Sequence, residues 1–95
     1  MATLSDQEIR TALDGLPGWE LVEQAITRQY GLDSFGGAIA FVVRLSYAAE
    51  AANHHPDLDI RYDKVRVTLS THSEGGVTAK DVDLARAIEG FAPSQ

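Results

Sequence analysis

The sequence has no cysteine among its 95 residues. This absence excludes disulfide bonds and metal sites built on thiolates, and it is compatible with the cytosol. The sequence also lacks an excess of basic residues, because 14 acidic side chains stand against 8 basic ones and give a net charge of −6. That balance disfavours direct binding to nucleic acid or to an anionic membrane surface.

Long apolar runs are missing as well. The longest candidate, between Ala38 and Leu45, is interrupted by Arg44, so no segment is expected to span a bilayer. The N-terminal sequence MATLSDQEIR has acidic residues where a signal peptide needs an apolar core. No repeat or flexible linker divides the chain. We therefore expect a single cytoplasmic domain over residues 1–95, with a short frayed tail at the C-terminal APSQ.

The first third of the chain carries the signals of one helix and two strands. Ser5 and Glu8 have the spacing of a capping box, and apolar residues at helical intervals follow them. The segment 15–18, with two glycines and a proline, ends this helix. Extended runs over Trp19–Gln24 and Ile26–Leu32 are then expected to pair as a hairpin.

A long helix and a second pair of strands follow. The helix is expected to begin after Asp33 or Ser34 and to run to about residue 53. Two more strands are expected over Asp57–Tyr62 and Lys64–Thr71, separated by a single residue. We interpret Tyr62 as a residue that packs across these two strands.

The last helix is expected to begin after Thr78, with Asp81 in the reciprocal position of a capping box. The element order is therefore helix, strand, strand, helix, strand, strand, helix. Two hairpins combined with helices predict an α+β two-layer domain, in which helices cover one face of a four-stranded antiparallel sheet.

The long helix carries apolar residues on two opposite sides. With a rotation of about 100° per residue, one stripe is expected to face the sheet: Ala38, Phe41, Val42, Leu45, Ala48, Ala49 and Ala52. Ile39, Val43 and Tyr47 lie on roughly the opposite side. Either another helix of the chain covers this second stripe, or a second copy of the chain packs against it. The sequence favours neither alternative.

All three histidines fall within residues 54–72. Glu50 and His54 continue the second apolar stripe at i, i+4 spacing, which predicts an ion pair near the helix C-terminus. Pro56 disfavours helical geometry at His55, so the neighbouring imidazoles are expected to point in different directions. A metal site shared by these two histidines is therefore not expected.

Strand alternation places the third histidine. Val65, Val67 and Leu69 mark the face toward the helices, so His72 belongs to the opposite, polar face at the end of the strand. The hairpin should return the chain so that residues 54–55 and His72 lie close together. Histidines around one pocket suit acid–base chemistry near pH 7, because an unperturbed imidazole titrates at about pH 6.5. Chance clustering at a helix end is the alternative.

The stretch EAANHHPDLDIRYDKVRVTLSTH, together with LPGWEL and GGVTAKDVDLA, resembles the pterin-4a-carbinolamine dehydratases. The motif of that family is an acid, His-His-Pro, an aromatic, a histidine and an aspartate at fixed intervals. The positions that match it here are Glu50, His54, His55, Pro56, Tyr62, His72 and Asp81. The resemblance covers nearly the whole chain.

The resemblance implies a hydro-lyase that removes water from a 4a-hydroxytetrahydropterin and leaves the quinonoid dihydropterin, a step in tetrahydrobiopterin recycling. No metal or redox cofactor is implied. His54 and His72 correspond to the acid–base pair, and which of the two is the acid stays open. His55 corresponds to a substrate-positioning group. Glu50 and Asp81 correspond to residues that orient the histidines.

The resemblance also implies which residues contact the pterin. The substrate-binding edges correspond to the histidines with Pro56 and to the segment Thr71, His72, Ser73 and Glu74. Some family members also serve as dimerisation cofactors of a transcription factor. A homodimer or homotetramer through the 35–53 helix is therefore expected, and an interaction module is the alternative to an enzyme.

Overall fold

The computed structural model describes residues 2–93. Its three α-helices and four strands follow the predicted order: α1 (Asp6–Leu13), β1 (Glu20–Val22), β2 (Ala25–Gly31), α2 (Phe35–Ala52), β3 (Asp57–Arg61), β4 (Lys64–Leu69) and α3 (Ala79–Glu89). A short 3₁₀ helix over His72–Glu74 precedes α3. The last two residues of the expected frayed tail lie outside the described residues.

The four strands form one antiparallel sheet in the order β1-β2-β4-β3. On one face, Ile26 and Tyr30 of β2 lie beside Leu69 and Val65 of β4, and all four side chains are fully buried. The other face is polar, because Thr27 on β2 and Arg66 and Thr68 on β4 alternate with the apolar residues of these strands. The predicted α+β fold is confirmed.

Helix α1 and helix α3 begin as the sequence predicts. The Ser5 side chain accepts a hydrogen bond from the backbone N–H of Glu8, and the Glu8 carboxylate accepts one from Ser5 in return. Thr78 and Asp81 make the same reciprocal pair at the start of α3. These pairs satisfy backbone donors that a helix N-terminus leaves without partners.

Helix α2 lays one side on the sheet. Ala38, Phe41, Leu45 and Ala49 are buried in the core, as predicted. The second stripe is not covered by any helix among residues 2–93, since Ile39, Val43 and Tyr47 are 37%, 49% and 74% exposed. The alternative in which a helix of the same chain covers this stripe is therefore wrong.

By length and composition alone, α2 is long and apolar enough to cross a membrane, contrary to the expectation that no segment would meet this criterion. Its core-facing side nevertheless packs on the sheet and against α3. The central helix of a folded domain meets the same criterion.

A polar cluster joins the sheet to the end of α3. The Glu89 carboxylate accepts hydrogen bonds from Arg28, from the indole N–H of Trp19 and from the hydroxyl of Tyr30. Burial, reinforced by the nearby Glu89 carboxylate, raises the pKa of Tyr30 above its ordinary value. Gly18 has a positive φ of 90°, and a Cβ there would collide with Arg28, so glycine lets this cluster close.

The turn between β3 and β4 corrects one interpretation. Arg61 pairs directly with Lys64, so Tyr62 and Asp63 form a two-residue turn. Tyr62 has a φ of 53° and is 74% exposed. It therefore does not pack across the strands. The strand predicted over Asp57–Tyr62 is one residue too long at this turn, whereas the strand predicted over Lys64–Thr71 begins at the expected residue and ends earlier, at Leu69.

Candidate active site

His54 and Asp81 form the centre of the site. The Nε2 atom of His54 lies 2.5 Å from Oδ1 of Asp81. The histidine side chain is 11% exposed and the carboxylate is fully buried. A buried carboxylate of this kind is stable only when several donors satisfy its oxygens.

Two threonines supply those donors. The Oδ2 atom of Asp81 accepts hydrogen bonds from the Thr71 hydroxyl at 2.8 Å and from the Thr78 backbone N–H at 2.9 Å. The Thr71 hydroxyl has given its only proton to Asp81, so in its 2.8 Å contact with Thr78 it must accept. The hydroxyl protons are therefore ordered from Thr78 to Thr71 to Asp81.

This order suggests a role for each nitrogen of His54. Both threonine donors meet Oδ2 of Asp81, which leaves Oδ1 as the acceptor for Nε2 of His54, and on this basis we assign the Nε2–H donor to His54. Among residues 2–93 we find no hydrogen bond to Nδ1 of His54. In the neutral imidazole that nitrogen carries a lone pair and can take a proton.

The C-terminal end of α2 makes the side chains of His54 and His55 point in different directions. Asn53 caps the helix in the left-handed conformation, with φ 49°. His54 still bonds to the helix through its backbone N–H, which donates to the carbonyl of Ala49. Pro56 then leads into β3, so the His54 ring turns inward and the His55 ring turns outward. The prediction that the two rings diverge is confirmed.

Glu50 pairs with His55 rather than with His54. Its Oε2 atom lies 2.5 Å from Nε2 of His55, and both side chains are largely exposed. The predicted pair of Glu50 and His54 is wrong because the left-handed cap turns His54 away from the outer side of the helix. Glu50, His55 and Pro56 line a cavity of about 420 Å³, with Leu45 and Leu58 as part of its wall.

His72 lies on the open, polar face of the sheet, as strand alternation predicts. Its side chain is 75% exposed, and its Nε2 atom is 3.8 Å from Oδ2 of Asp57. Asp57 follows directly after His54, His55 and Pro56 and pairs with Thr68 across β3 and β4. The hairpin therefore brings His72 back beside the chain segment that carries the other two histidines.

The segment 71–74 presents fewer side chains for substrate contact than the family resemblance implies. The Thr71 side chain is buried and turned toward Asp81, which places it away from solvent. Ser73 and Glu74 are exposed in the 3₁₀ helix that follows. Thr78 and Asp57 also belong to the site, although the sequence signal at Thr78 indicates only a helix cap and Asp57 carries no signal of its own.

No group of three or more histidine, aspartate or glutamate side chains suited to a metal ion is found in the described part of the chain. The three histidines face three directions: His54 toward the interior, His55 toward the outer side of α2, and His72 toward the open face of the sheet. The arrangement combines one ordered imidazole with two accessible ones, which suits proton transfer.

The chain is similar to proteins of a known family. Residues 2–91 match the family model described as pterin 4 alpha carbinolamine dehydratase. A protein of Nocardia farcinica is 53% identical over 89 residues, 94% of each chain. A protein of Roseiflexus castenholzii is 51% identical over 88 residues, 93% of this chain and 95% of its own. Both carry a provisional pterin-4-alpha-carbinolamine dehydratase name.

Two solved structures share the fold. A Brucella melitensis protein described as a transcriptional coactivator/pterin dehydratase has a TM-score of 0.91 and 39% identity, and the match covers 96% of this chain and 99% of that one. A pterin dehydratase-like protein identified as a RuBisCO assembly factor in the alpha-carboxysome has a TM-score of 0.65 and 17% identity. The match with the second covers 81% of this chain and 89% of that one, and it shows the common fold alone.

Proposed function

We propose that this chain, which belongs to the pterin 4 alpha carbinolamine dehydratase family, removes water from a 4a-hydroxytetrahydropterin and leaves the quinonoid dihydropterin. The observation that carries the proposal is the ordered pair of His54 and the buried Asp81, with the accessible His72 on the neighbouring segment. The full-length match to the family supports the same reaction.

The reaction needs one acid and one base. Hydroxide is a poor leaving group, so the oxygen on C4a must gain a proton as the C4a–O bond breaks. The electron pair on N5 forms the new C4a–N5 double bond, and N5 then loses its proton to the base. Water leaves with the first proton, so the overall change is the loss of H₂O. General acid and base groups typically contribute a factor of about 10² to 10⁴ in rate.

His54 is assigned as the base and His72 as the acid. The donor order at Asp81 leaves Nδ1 of neutral His54 as the nitrogen that can accept the N5 proton. His72 is accessible on the segment next to His54 and is assigned to give a proton to the oxygen on C4a. His55, which pairs with Glu50, keeps the substrate-positioning role that the family resemblance implies.

Cleavage of the C4a–O bond with proton transfer to oxygen and from N5 involves no net oxidation or reduction, so the proposal requires no metal or redox cofactor. We assign the step to recycling of the tetrahydropterin that aromatic amino-acid hydroxylation leaves as a carbinolamine, in the cytoplasm. The three histidines could instead serve a metal-binding protein; elemental analysis of untagged protein tests this alternative, and stoichiometric zinc would support it. The test of the dehydratase is the decay rate of freshly generated carbinolamine with and without the protein.

A second role as an interaction module is supported by the outer side of α2. Ile39, Val43 and Tyr47 form an exposed apolar stripe, and Phe35 on the same helix is 53% exposed. Contiguous exposed apolar side chains mark protein interaction sites. We propose a homodimer or homotetramer through this helix. The description of the Brucella melitensis protein as a coactivator is compatible with such a surface.

Light scattering at micromolar concentration tests this second role. The wild-type protein is expected to have the mass of two or four chains, and Val43→Asp is expected to shift the mass toward one chain. Gln7→Asp, at an exposed position of α1 away from this helix, is the control. A wild-type mass of one chain would remove the role assigned to the stripe.

A further inference from the structure

The open face of the sheet carries a cavity that the proposed reaction does not yet use. Its volume is about 510 Å³, and His72 forms part of its wall. Arg66 and Thr68 of β4 and Thr27 of β2 also line it. The cavity thus begins at a histidine of the candidate site and continues over the polar side of the central strands.

The hydrogen bonds on this face leave donors and acceptors free. The Thr27 hydroxyl donates to the carbonyl of Val67, so it accepts from Nη1 of Arg66 at 3.2 Å and from the Thr68 hydroxyl at 3.1 Å. Arg66 therefore retains most of its N–H groups, and the Thr68 oxygen retains its lone pairs. The N–H groups of Arg66 and the lone pairs of Thr68 can therefore bind a polar ligand.

The charges around Arg66 define the ligand further. The carboxylate opposite Arg66 in the sheet, Asp59, is bonded to Arg61, and Arg66 forms no ion pair within residues 2–93. Two carboxylates also line the cavity, Asp57 beside His72 and Glu23 in the turn after β1. One cation among these acids suits a neutral group that both donates and accepts hydrogen bonds, such as a hydroxylated chain, better than an anion.

The chemistry of the proposed reaction places such a chain here. In a pterin, C6 is separated from C4a by N5 alone, so a substituent on C6 begins within a few ångströms of the reacting carbon. If His72 contacts the oxygen on C4a, the cavity that His72 shares is within reach of that substituent. This step rests on the proposed function.

We propose that Arg66 and Thr68 form the subsite for a hydroxylated C6 side chain and that Arg66 determines selectivity among pterins by that side chain. The ring is held by the histidine segments, and the open face of the sheet binds the substituent. Arg66 is then a specificity-determining residue, with no part in proton transfer.

The test compares two carbinolamines, one with a methyl group and one with a dihydroxypropyl chain on C6. Arg66→Met, which keeps the aliphatic stem, is expected to raise KM for the dihydroxypropyl substrate by about 10-fold, the loss of one charged hydrogen bond. KM for the methyl substrate is expected to stay within about 2-fold. Thr68→Val should show the same selectivity with a smaller effect. Lys64→Met, on the same face but outside the cavity lining, is the control.

If Arg66→Met changes KM equally for both substrates, or changes it for neither, the proposed subsite is wrong. Calorimetric binding of oxidised pterins separates this outcome from failure of the proposed function, since it needs no turnover. Wild-type protein should bind biopterin more tightly than 6-methylpterin, and Arg66→Met should remove the difference. Tighter binding of pterin-6-carboxylate than of biopterin would overturn the assignment of a neutral chain. If no carbinolamine reacts faster but the binding difference persists, only the proposed reaction fails.

Discussion

His54 and Asp81 lie 2.5 Å apart although 27 positions separate them in the chain. One follows the end of α2 and the other lies in the first turn of α3, so the contact depends on the packing of these two helices. The same carboxylate caps α3 through the backbone of Thr78. One aspartate therefore joins helix formation to the orientation of a histidine.

Asp81→Asn is expected to lower kcat by about tenfold or more, because the amide cannot accept hydrogen bonds from both His54 and Thr71 and carries no charge. It should also lower the free energy of unfolding by about 1–3 kcal/mol, the cost of leaving buried donors without partners. Steady-state kinetics and urea unfolding measure the two effects. Asp83→Asn, on an exposed turn of the same helix, is the control. Unchanged kcat in Asp81→Asn would contradict the role of this carboxylate.

Thr71→Val is expected to lower kcat with little change in KM, because the Thr71 hydroxyl orders Asp81 and is turned away from the solvent. Thr71→Ser should restore activity, since it returns the donor. Histidine ¹⁵N spectra should show the Nε2–H tautomer of His54 in wild type and Thr71→Ser, and a mixture in Thr71→Val. A rise in KM alone would favour the direct substrate contact that the family resemblance implied.

His72→Ala is expected to lose most activity, by a factor of about 10² to 10⁴. The side chain is largely exposed, so the free energy of unfolding should stay within about 0.5 kcal/mol of wild type. Activity and chemical unfolding on the same preparation separate the two effects. Turnover close to that of wild type would reject a catalytic role for His72.

Tyr30→Phe is expected to reduce the fall in the free energy of unfolding as the pH rises above about 10. The pKa of Tyr30 is raised in the folded chain by burial and by Glu89. Above about pH 10 the unfolded chain releases the tyrosine proton while the folded chain keeps it, so folding loses about 1.4 kcal/mol per pH unit from this group. Tyr30→Phe removes that loss, although it also removes a hydrogen bond at neutral pH.

Urea unfolding between pH 8 and pH 11 measures the alkaline slopes. Tyr62→Phe, in the exposed turn between β3 and β4, is the matched control and should keep the wild-type slope. Equal slopes for wild type and Tyr30→Phe would show that Tyr30 titrates alike in both states.

The fold was predictable because each element has a local signal. The capping boxes at Ser5 and Thr78 and the alternation through Val65 and Val67 specify helices and strands over short distances. Strand order and the exposed position of Tyr62 depend on how separate elements pack and on where a turn closes. Those features follow from contacts distant in sequence, which local patterns do not contain.

The sequence predicts most residues of the site, but it does not predict which of them form hydrogen bonds with each other. The spacing around Pro56 correctly separates the rings of His54 and His55. It does not show that Asn53 adopts a left-handed cap, and this cap decides which histidine meets Glu50. The buried order of hydroxyls from Thr78 to Asp81 likewise needs three segments in contact. Only the alternation along β4 held a usable signal for Arg66.

The dehydration assay tests the central claim most directly. Carbinolamine generated in situ at neutral pH should decay faster in proportion to the concentration of wild-type protein, and His54→Ala and His72→Ala should each remove most of that acceleration. Decay at the spontaneous rate in the presence of folded wild-type protein would contradict the assignment of a pterin dehydratase.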